Sequence, residues 1–247
     1  MKLNILASAG SYPGPGRVCS GYLLSSHDTQ VLLDLGNGAL SNLLKVIDPK
    51  LLSGVIISHA HLDHYADMIG LYHYFKFAHT PPHPVPLYGS SEFFDKFHHL
   101  IGIDEDMRSI FSETIITEGG FGKIDNLSIA FSQSNHPPET YISRVSDGKS
   151  TFCYSADGDE SINLALASNE VDLFLCESTW SKKGSNHPAG LHLDARAAGE
   201  IAQRSRVKHL VITHIAYPQD RDEVRVIVSK YFKGRISLAE DLDSYIF

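Results

Sequence analysis

"SGVIISHAHLDHYADMIG" (residues 53–70) decides the fold and most of the chemistry. Its first half, "GVIIS", is a short β-branched run that reads as a buried strand. Directly after it come His59, His61, Asp63 and His64. Histidines two apart on extended backbone point the same way, so His59 and His61 can hold one ion. Asp63 and His64 fall at the start of the next helix and face a neighbouring position. With 14 His and 29 acidic residues in 247, the pattern His-x-His-x-acid-His should occur about 0.005 times per chain by composition alone. The spacing therefore has a chemical reason. Neutral imidazole suits zinc, a carboxylate adds charge neutralisation, and the absence of Cys from the cluster argues against a closed structural zinc site.

Outward from this stretch, short Leu-rich and β-branched runs alternate with helical or turn segments. "LNILA", "GYLLSS", "QVLLDLGNG" and "PVPLYG" read as strands. "LSNLLKVI", "LDHYADMIGLYHYF" and "SSEFFDKFHHLIG" read as helices, the last opening with an N-cap pattern. From about residue 120 to 157 paired strands take over, with a hairpin turning at Asp147-Gly148. "VDLFLCEST", a helix over "DARAAGEIAQRS", "HLVITH" and a helix over "RDEVRVIVSKYF" then restore βα alternation. With no repeat, linker or low-complexity tract, the expectation is one domain over residues 1–247, an α/β fold of mixed sheets covered by helices.

Polar residues follow the ends of these strands: His59 after "GVIIS", His136 after "SIAFSQSN", Asp157 after "FCYSA", Glu177 after "DLFLC" and His214 after "HLVIT". In open α/β sheets the carboxyl ends of strands are where ligands bind. Four ligands do not complete two ions, and His136, Asp157 and His214 combine the right chemistry with a strand-end position.

Bulk properties narrow the partners. A net charge of −8 gives no field that attracts nucleic-acid phosphate. Three Cys and no CxxC indicate neither a disulfide framework nor a thiolate zinc knot. No run of 18 apolar residues predicts a membrane span. "MKLNILASAG" is too short for a signal peptide, so a cytoplasmic location is the default expectation.

At this point the sequence resembles the metallo-β-lactamase superfamily, over most of its length: "HAHLDH", "NHPPETY", "YSADGD" and "ITH" occur in that family's order. The resemblance implies an αβ/βα four-layer sandwich of two mixed β-sheets flanked by helices. It implies His59, His61 and His136 on one metal, Asp63, His64 and His214 on the other, and Asp157 bridging. "LLDLGNG" is similar to the family's early Asp motif. Asp34 there either orients ligands or caps a helix at a turn. Within the superfamily the chain looks most like the ribonuclease Z-like and class II cyclic-nucleotide phosphodiesterase branch. That likeness rests on "ASAGSYPGPGRVCSGYLL", "CESTW" and "LHLDARAAGEIA", with "HAHLDH" matching the class II core; beyond that hexamer the class II pattern is followed loosely.

The resemblance implies a dinuclear metal-dependent hydrolase. Two ions roughly 3.5–4 Å apart would hold a bridging hydroxide as nucleophile. Asp63 would ligate and orient it, and His192, held by Glu177, would protonate the leaving oxygen, a contribution of roughly 10²–10⁴-fold. Zinc is favoured because His61 stands where the diiron relatives carry Glu; manganese is the alternative, since Asp63 and Asp157 are hard ligands. The expected substrate is a small phosphodiester such as a cyclic nucleotide. RNA ranks second, through tRNA 3′-processing, because few residues separate His136 from Asp157 and the chain is acidic. A lactonase or thioesterase needs less help from an acid, and a non-catalytic metal-holding protein would need none. Relatives often dimerise, which is the ground for expecting a homodimer. His73, His79, His83, His98, His99, His187 and His209 lack partner spacing, and Lys182 and Lys183 read as a solvated loop.

Overall fold

In the computed structural model, which describes residues 1–102 and 107–247, the first half runs β1 (Lys2–Ala7), β2 (Ala9–Gly10), β3 (Gly21–Ser26), β4 (Thr29–Leu35), α1 (Ala39–Val46), β5 (Gly54–Ile56), α2 (Leu62–Tyr65), α3 (Met68–His73), β6 (Val85–Gly89), α4 (Ser91–Ile101), α5 (Met107–Ile110) and β7 (Phe111–Ile115). The second half runs β8 (Phe121–Ile124), β9 (Leu127–Gln133), β10 (Tyr141–Ser146), β11 (Thr151–Tyr154), α6 (Ile162–Ala167), β12 (Leu173–Glu177), α7 (Ala195–Arg204), β13 (His209–Thr213), β14 (Ile215–Ala216), α8 (Arg221–Tyr231), β15 (Arg235–Leu238) and β16 (Ser244–Ile246). Among the described residues these strands form two seven-stranded sheets, ordered β16-β1-β3-β4-β5-β6-β7 and β15-β13-β12-β11-β10-β9-β8, and a small β14-β2 pair. Both large sheets are mixed: β4 to β7 are parallel beside antiparallel β1 and β3, and β11, β12, β13 and β15 are parallel beside antiparallel β8 to β10.

The period of two along each central strand explains the layering. β4 sends Val31 and Leu33 between the sheets and Leu32 under the first group of helices, until the positive φ of Asp34 breaks the alternation and turns Leu35 to the helix side as well. β12 sends Leu173 and Leu175 between the sheets, and Phe174 and Cys176 under α6 to α8. Val211 of β13 faces inward, and Leu210 and Ile212 outward. Strands buried on both faces read as continuous apolar runs, as these do. The result is helix, sheet, sheet, helix, the expected four-layer sandwich.

Two details differ from expectation. The segment "LDHYADMIGLYHYF" is not one helix: it breaks after Tyr65, resumes at Met68 and ends in a π turn over Tyr74–Ala78. Asp67 at the break accepts from Gly38 N and Leu40 N, each at 2.9 Å, and so caps α1, whose own N-cap residue has no side chain. Strands β7, β15 and β16 were absent from the sequence pattern: β7 and β16 expose most of their residues, and β15 is only four residues long, with one of them buried. The hairpin is where Asp147-Gly148 put it, with Gly148 at φ 83 and Asp147 Oδ1 accepting from Lys149 N and Ser150 N.

Candidate metal centre

The carboxyl ends of β5, β9, β11, β12 and β13 meet at one edge of the sandwich and bring all the expected residues there. His59 and His61 follow β5, and His61 is the N-cap position of α2, which carries Asp63 and His64. His136 follows β9. Its loop is tied to the loop after β11 through Asp159 N donating to Asn135 O at 2.9 Å, and Ser134 Oγ donating to Asp157 O at 2.8 Å. Gly158 must be glycine, because a Cβ there would lie 2.0 Å from Ser134 Oγ. His214 leaves β13 with φ 57, and β14 then pairs with β2. A Cβ on Gly10 of β2 would meet His214 O at 2.3 Å.

Among the described residues potential ligand atoms form three groups, each within 4.8 Å: His59, His61, His136 and Asp157; Asp63, His64, Asp157 and His214; and Glu177, His192 and His214. The hydrogen bonds assign the tautomers. Ser58 Oγ donates to Asp34 Oδ2 at 2.8 Å, so it accepts from His59 Nδ1 at 2.9 Å. His136 Nδ1 donates to Leu191 O at 2.6 Å, His64 Nδ1 to Asp34 Oδ2 at 2.8 Å, and His214 Nδ1 to Thr179 Oγ1 at 2.9 Å. Four imidazoles thus present Nε2 lone pairs inward. His59 Nε2 lies 3.1 Å, and His136 Nε2 3.3 Å, from His61 Nδ1. His64 Nε2 lies 3.3 Å from His214 Nε2.

Lone pairs facing lone pairs call for cations between them. Burial, chiefly, holds the His59, His61 and His136 rings below the usual imidazole range, which keeps them neutral as ligands must be. Burial also disfavours charge on His64, but Asp157, Asp63 and Asp34 override it and push that ring well above its usual range. Asp157 sits between the groups, 2 % exposed, and its Oδ1 accepts no hydrogen bond. A buried carboxylate oxygen without a donor is costly unless a metal takes it. The donor set and the orphaned oxygen both fit two divalent cations sharing Asp157.

Asp34 does not cap a helix. It is fully buried and accepts from Ser58 N (2.7 Å), Ser58 Oγ, His64 Nδ1 and Tyr154 Oη (2.7 Å), which fixes both His59 and His64 from behind. It takes a positive φ of 55 to do so.

His192 is drawn in by the chain after β12: Trp180 N donates to Leu193 O, and Ala195 N to Trp180 O. Rather than lying on the surface at the start of a helix, it is 8 % exposed, with Nδ1 3.0 Å from Glu177 Oε1. Burial works against charge there, but Glu177, by charge and hydrogen bond, and then Asp157 raise the imidazole to about 9. Glu177 itself also lies within ligand range of His192 and His214. Its oxygens are already taken: Oε1 by His192 Nδ1 and Gly158 N (2.6 Å), Oε2 by Thr179 N (3.1 Å) and Thr179 Oγ1 (2.7 Å). That saturation makes it an anchor for His192 rather than a ligand.

The remaining histidines stay outside the cluster. His98 pairs with Glu113, His187 packs on Trp180, and His209 is buried against Ser237. Lys182 and Lys183 are engaged with Glu223 and Asp159. The hydroxyls of Ser58, Tyr154 and Thr179 were missed in the sequence. Only "CEST" hinted at the last, by placing Thr179 two residues after Glu177.

The sequence profile of the Beta-lactamase superfamily domain matches residues 29–215. YhfI of Bacillus subtilis (strain 168), described as a probable metallo-hydrolase, is 28% identical over 245 residues and 97% of each chain. Its crystal structure matches with a TM-score of 0.89 at 25% identity, over 99% of this chain and 98% of that one. The uncharacterized protein ML1173 of Mycobacterium leprae (strain TN) is 31% identical over 96% of this chain and 85% of its own. The short form of human tRNase Z shares the fold, with a TM-score of 0.81 at 19% identity over 100% of this chain and 99% of that one. The chain belongs to the metallo-β-lactamase superfamily.

Proposed function

We propose that the protein is a two-metal phosphodiesterase acting on a small diester, a cyclic nucleotide first, with the whole chain serving as one catalytic unit in the cytoplasm. The observation that carries this is the pair His192–Glu177: a buried imidazole held at 3.0 Å by a carboxylate that favours its charged form, beside a cluster that suits two cations. A hydrolase whose leaving group departs readily as an anion gains little from such an acid, whereas an alkoxide leaving from phosphorus needs its proton. Its relative YhfI, described as a probable metallo-hydrolase, supports the broader class.

His59, His61 and His136 would hold one ion, Asp63, His64 and His214 the other, and Asp157 both, with zinc preferred for its fit to imidazole and manganese second. Such ions supply positive charge to the phosphoryl oxygens and acidify water. Asp63, 14 % exposed, lies at the cluster's outer side and can accept a hydrogen bond from the attacking water. His192 Nδ1 is spent on Glu177, so its other nitrogen is the one that gives up a proton. β10, β11 and their turn take up most of residues 137–156, which leaves no long arm between His136 and Asp157 for gripping RNA. Among the described residues no helix is long and apolar enough to cross a membrane.

The test is turnover of bis-p-nitrophenyl phosphate, 2′,3′- and 3′,5′-cyclic nucleotides and a 3′-extended tRNA by protein of measured metal content, beside Asp63→Ala. Hydrolysis of small diesters that is lost in the variant, with the tRNA untouched, is the expected result. Cleavage of the tRNA trailer would replace this proposal with a processing nuclease.

A further inference from the structure

Two parts of the site described above, the ligand His214 and the acid pair His192–Glu177, share one small group. Thr179 Oγ1 lies 2.9 Å from His214 Nδ1 and 2.7 Å from Glu177 Oε2. Thr179 is buried, at 2 % exposed. A hydroxyl carries one proton and two lone pairs, so valence fixes the directions. A carboxylate only accepts, so Oγ1–H must donate to Glu177. The same oxygen then accepts from His214 Nδ1–H, which leaves His214 Nε2 as a lone pair facing Asp157 and His64. Glu177 Oε1, in turn, holds His192 Nδ1 and the amide of Gly158, next to Asp157. One unbroken chain of hydrogen bonds thus runs from a metal ligand through Thr179 and Glu177 to the proton donor.

We infer that Thr179 is a positioning residue that couples occupancy of the Asp63/His64/His214 position to the placement of His192, through a hydroxyl that no other residue type but Ser could supply. This rests on the two-metal reading above. The backbone favours it as well: Ala216 N donates to Thr179 O, and Ser178 N to Thr213 O, so the segments carrying Glu177 and His214 are pinned together on either side of the hydroxyl.

Valine has the shape of threonine without the hydroxyl. Thr179→Val leaves His214 Nδ1 and Glu177 Oε2 each short of a partner, while Thr179→Ser keeps both bonds. Metal affinity is read by zinc competition with a chromophoric chelator on wild type, T179V and T179S, and diester hydrolysis at saturating zinc is measured separately. Loss of a group that orients a ligand costs about 10–100-fold in metal affinity. The expected result is that fall for one of the two ions in T179V, and a change of about threefold or less in T179S. At saturating zinc T179V should still turn over about tenfold more slowly, because Glu177 no longer fixes His192 as firmly. Equal affinities in T179V and wild type overturn the inference. Weakened metal binding with full activity at saturation overturns the coupling to His192. A wild type that binds two ions but hydrolyses no diester overturns the phosphodiesterase reading, while the affinity comparison still decides the role of Thr179 at His214.

Discussion

Replacing His192 with alanine should separate acid catalysis from metal chemistry. The side chain is nearly dry and is oriented by Glu177 at 3.0 Å, whose carboxylate favours the charged form of the ring. A positioned acid of this kind is worth roughly 10²–10⁴-fold, or about 3–5 kcal/mol of barrier. The upper part of that range applies where the departing oxygen is an alkoxide, as in opening a cyclic nucleotide. It shrinks to less than about tenfold where a p-nitrophenolate leaves, since that anion needs little help. The metal ligands keep their own fixing partners in the variant: Asp34 for His64, Ser58 for His59, Leu191 O for His136 and Thr179 for His214. Zinc content should therefore stay at the wild-type level. The assay is kcat and kcat/KM for a cyclic nucleotide and for bis-p-nitrophenyl phosphate, on both proteins at equal metal loading. A loss of the same size on both substrates would refute the role of acid, and so would less than a tenfold loss on the cyclic nucleotide.

Further outcomes follow from the same geometry. Asp63→Ala and His136→Ala remove a ligand from different groups, so each should lower bound zinc from two ions toward one, as read by metal analysis of the purified variants. Asp34→Asn would turn an amide donor toward partners that all donate; a cost of about 1–3 kcal/mol in unfolding free energy and a fall of about 10–100-fold in metal affinity are expected from denaturant titration and chelator competition. His209, buried beside Arg235 and far from the cluster, is held down to about 4 by burial first and then by the arginine. A histidine with a depressed folded value lets the unfolded chain bind more protons on acidification, so stability contributed at pH 7 is lost as pH falls from the unfolded value toward the folded one. Between pH 7 and pH 4 that amounts to about 3 kcal/mol. His209→Gln should flatten that part of the pH–stability curve, and an unchanged slope would contradict the assignment.

Much of this site could be read in the sequence because its ligands are chemically unmistakable and sit at strand ends. His59 to His64 announce themselves by spacing, and His136, Asp157, Glu177 and His214 by following apolar runs. The supporting hydroxyls could not be read that way. Ser58 and Thr179 matter through the register of β4 with β5 and of β12 with β13, and Tyr154 through the packing of one sheet on the other, which bring residues far apart in sequence within hydrogen-bond distance. Local sequence carries no trace of a contact such as Tyr154 with Asp34. The same holds for the broken helix after Tyr65: Asp67 looks like an ordinary helix residue until α1 is seen to borrow it as a cap. Edge strands such as β7 and β16 went unseen because their backbone pairing, not burial of alternate side chains, defines them.

The most direct measurement is titration of metal-free protein with zinc while hydrolysis of bis-p-nitrophenyl phosphate is followed. With two groups of ligands sharing Asp157, activity should climb until two equivalents are bound and then level off, and Asp157→Ala should remain inactive throughout. A plateau at one equivalent, or two bound equivalents with no diester cleaved, would contradict a two-metal phosphodiesterase.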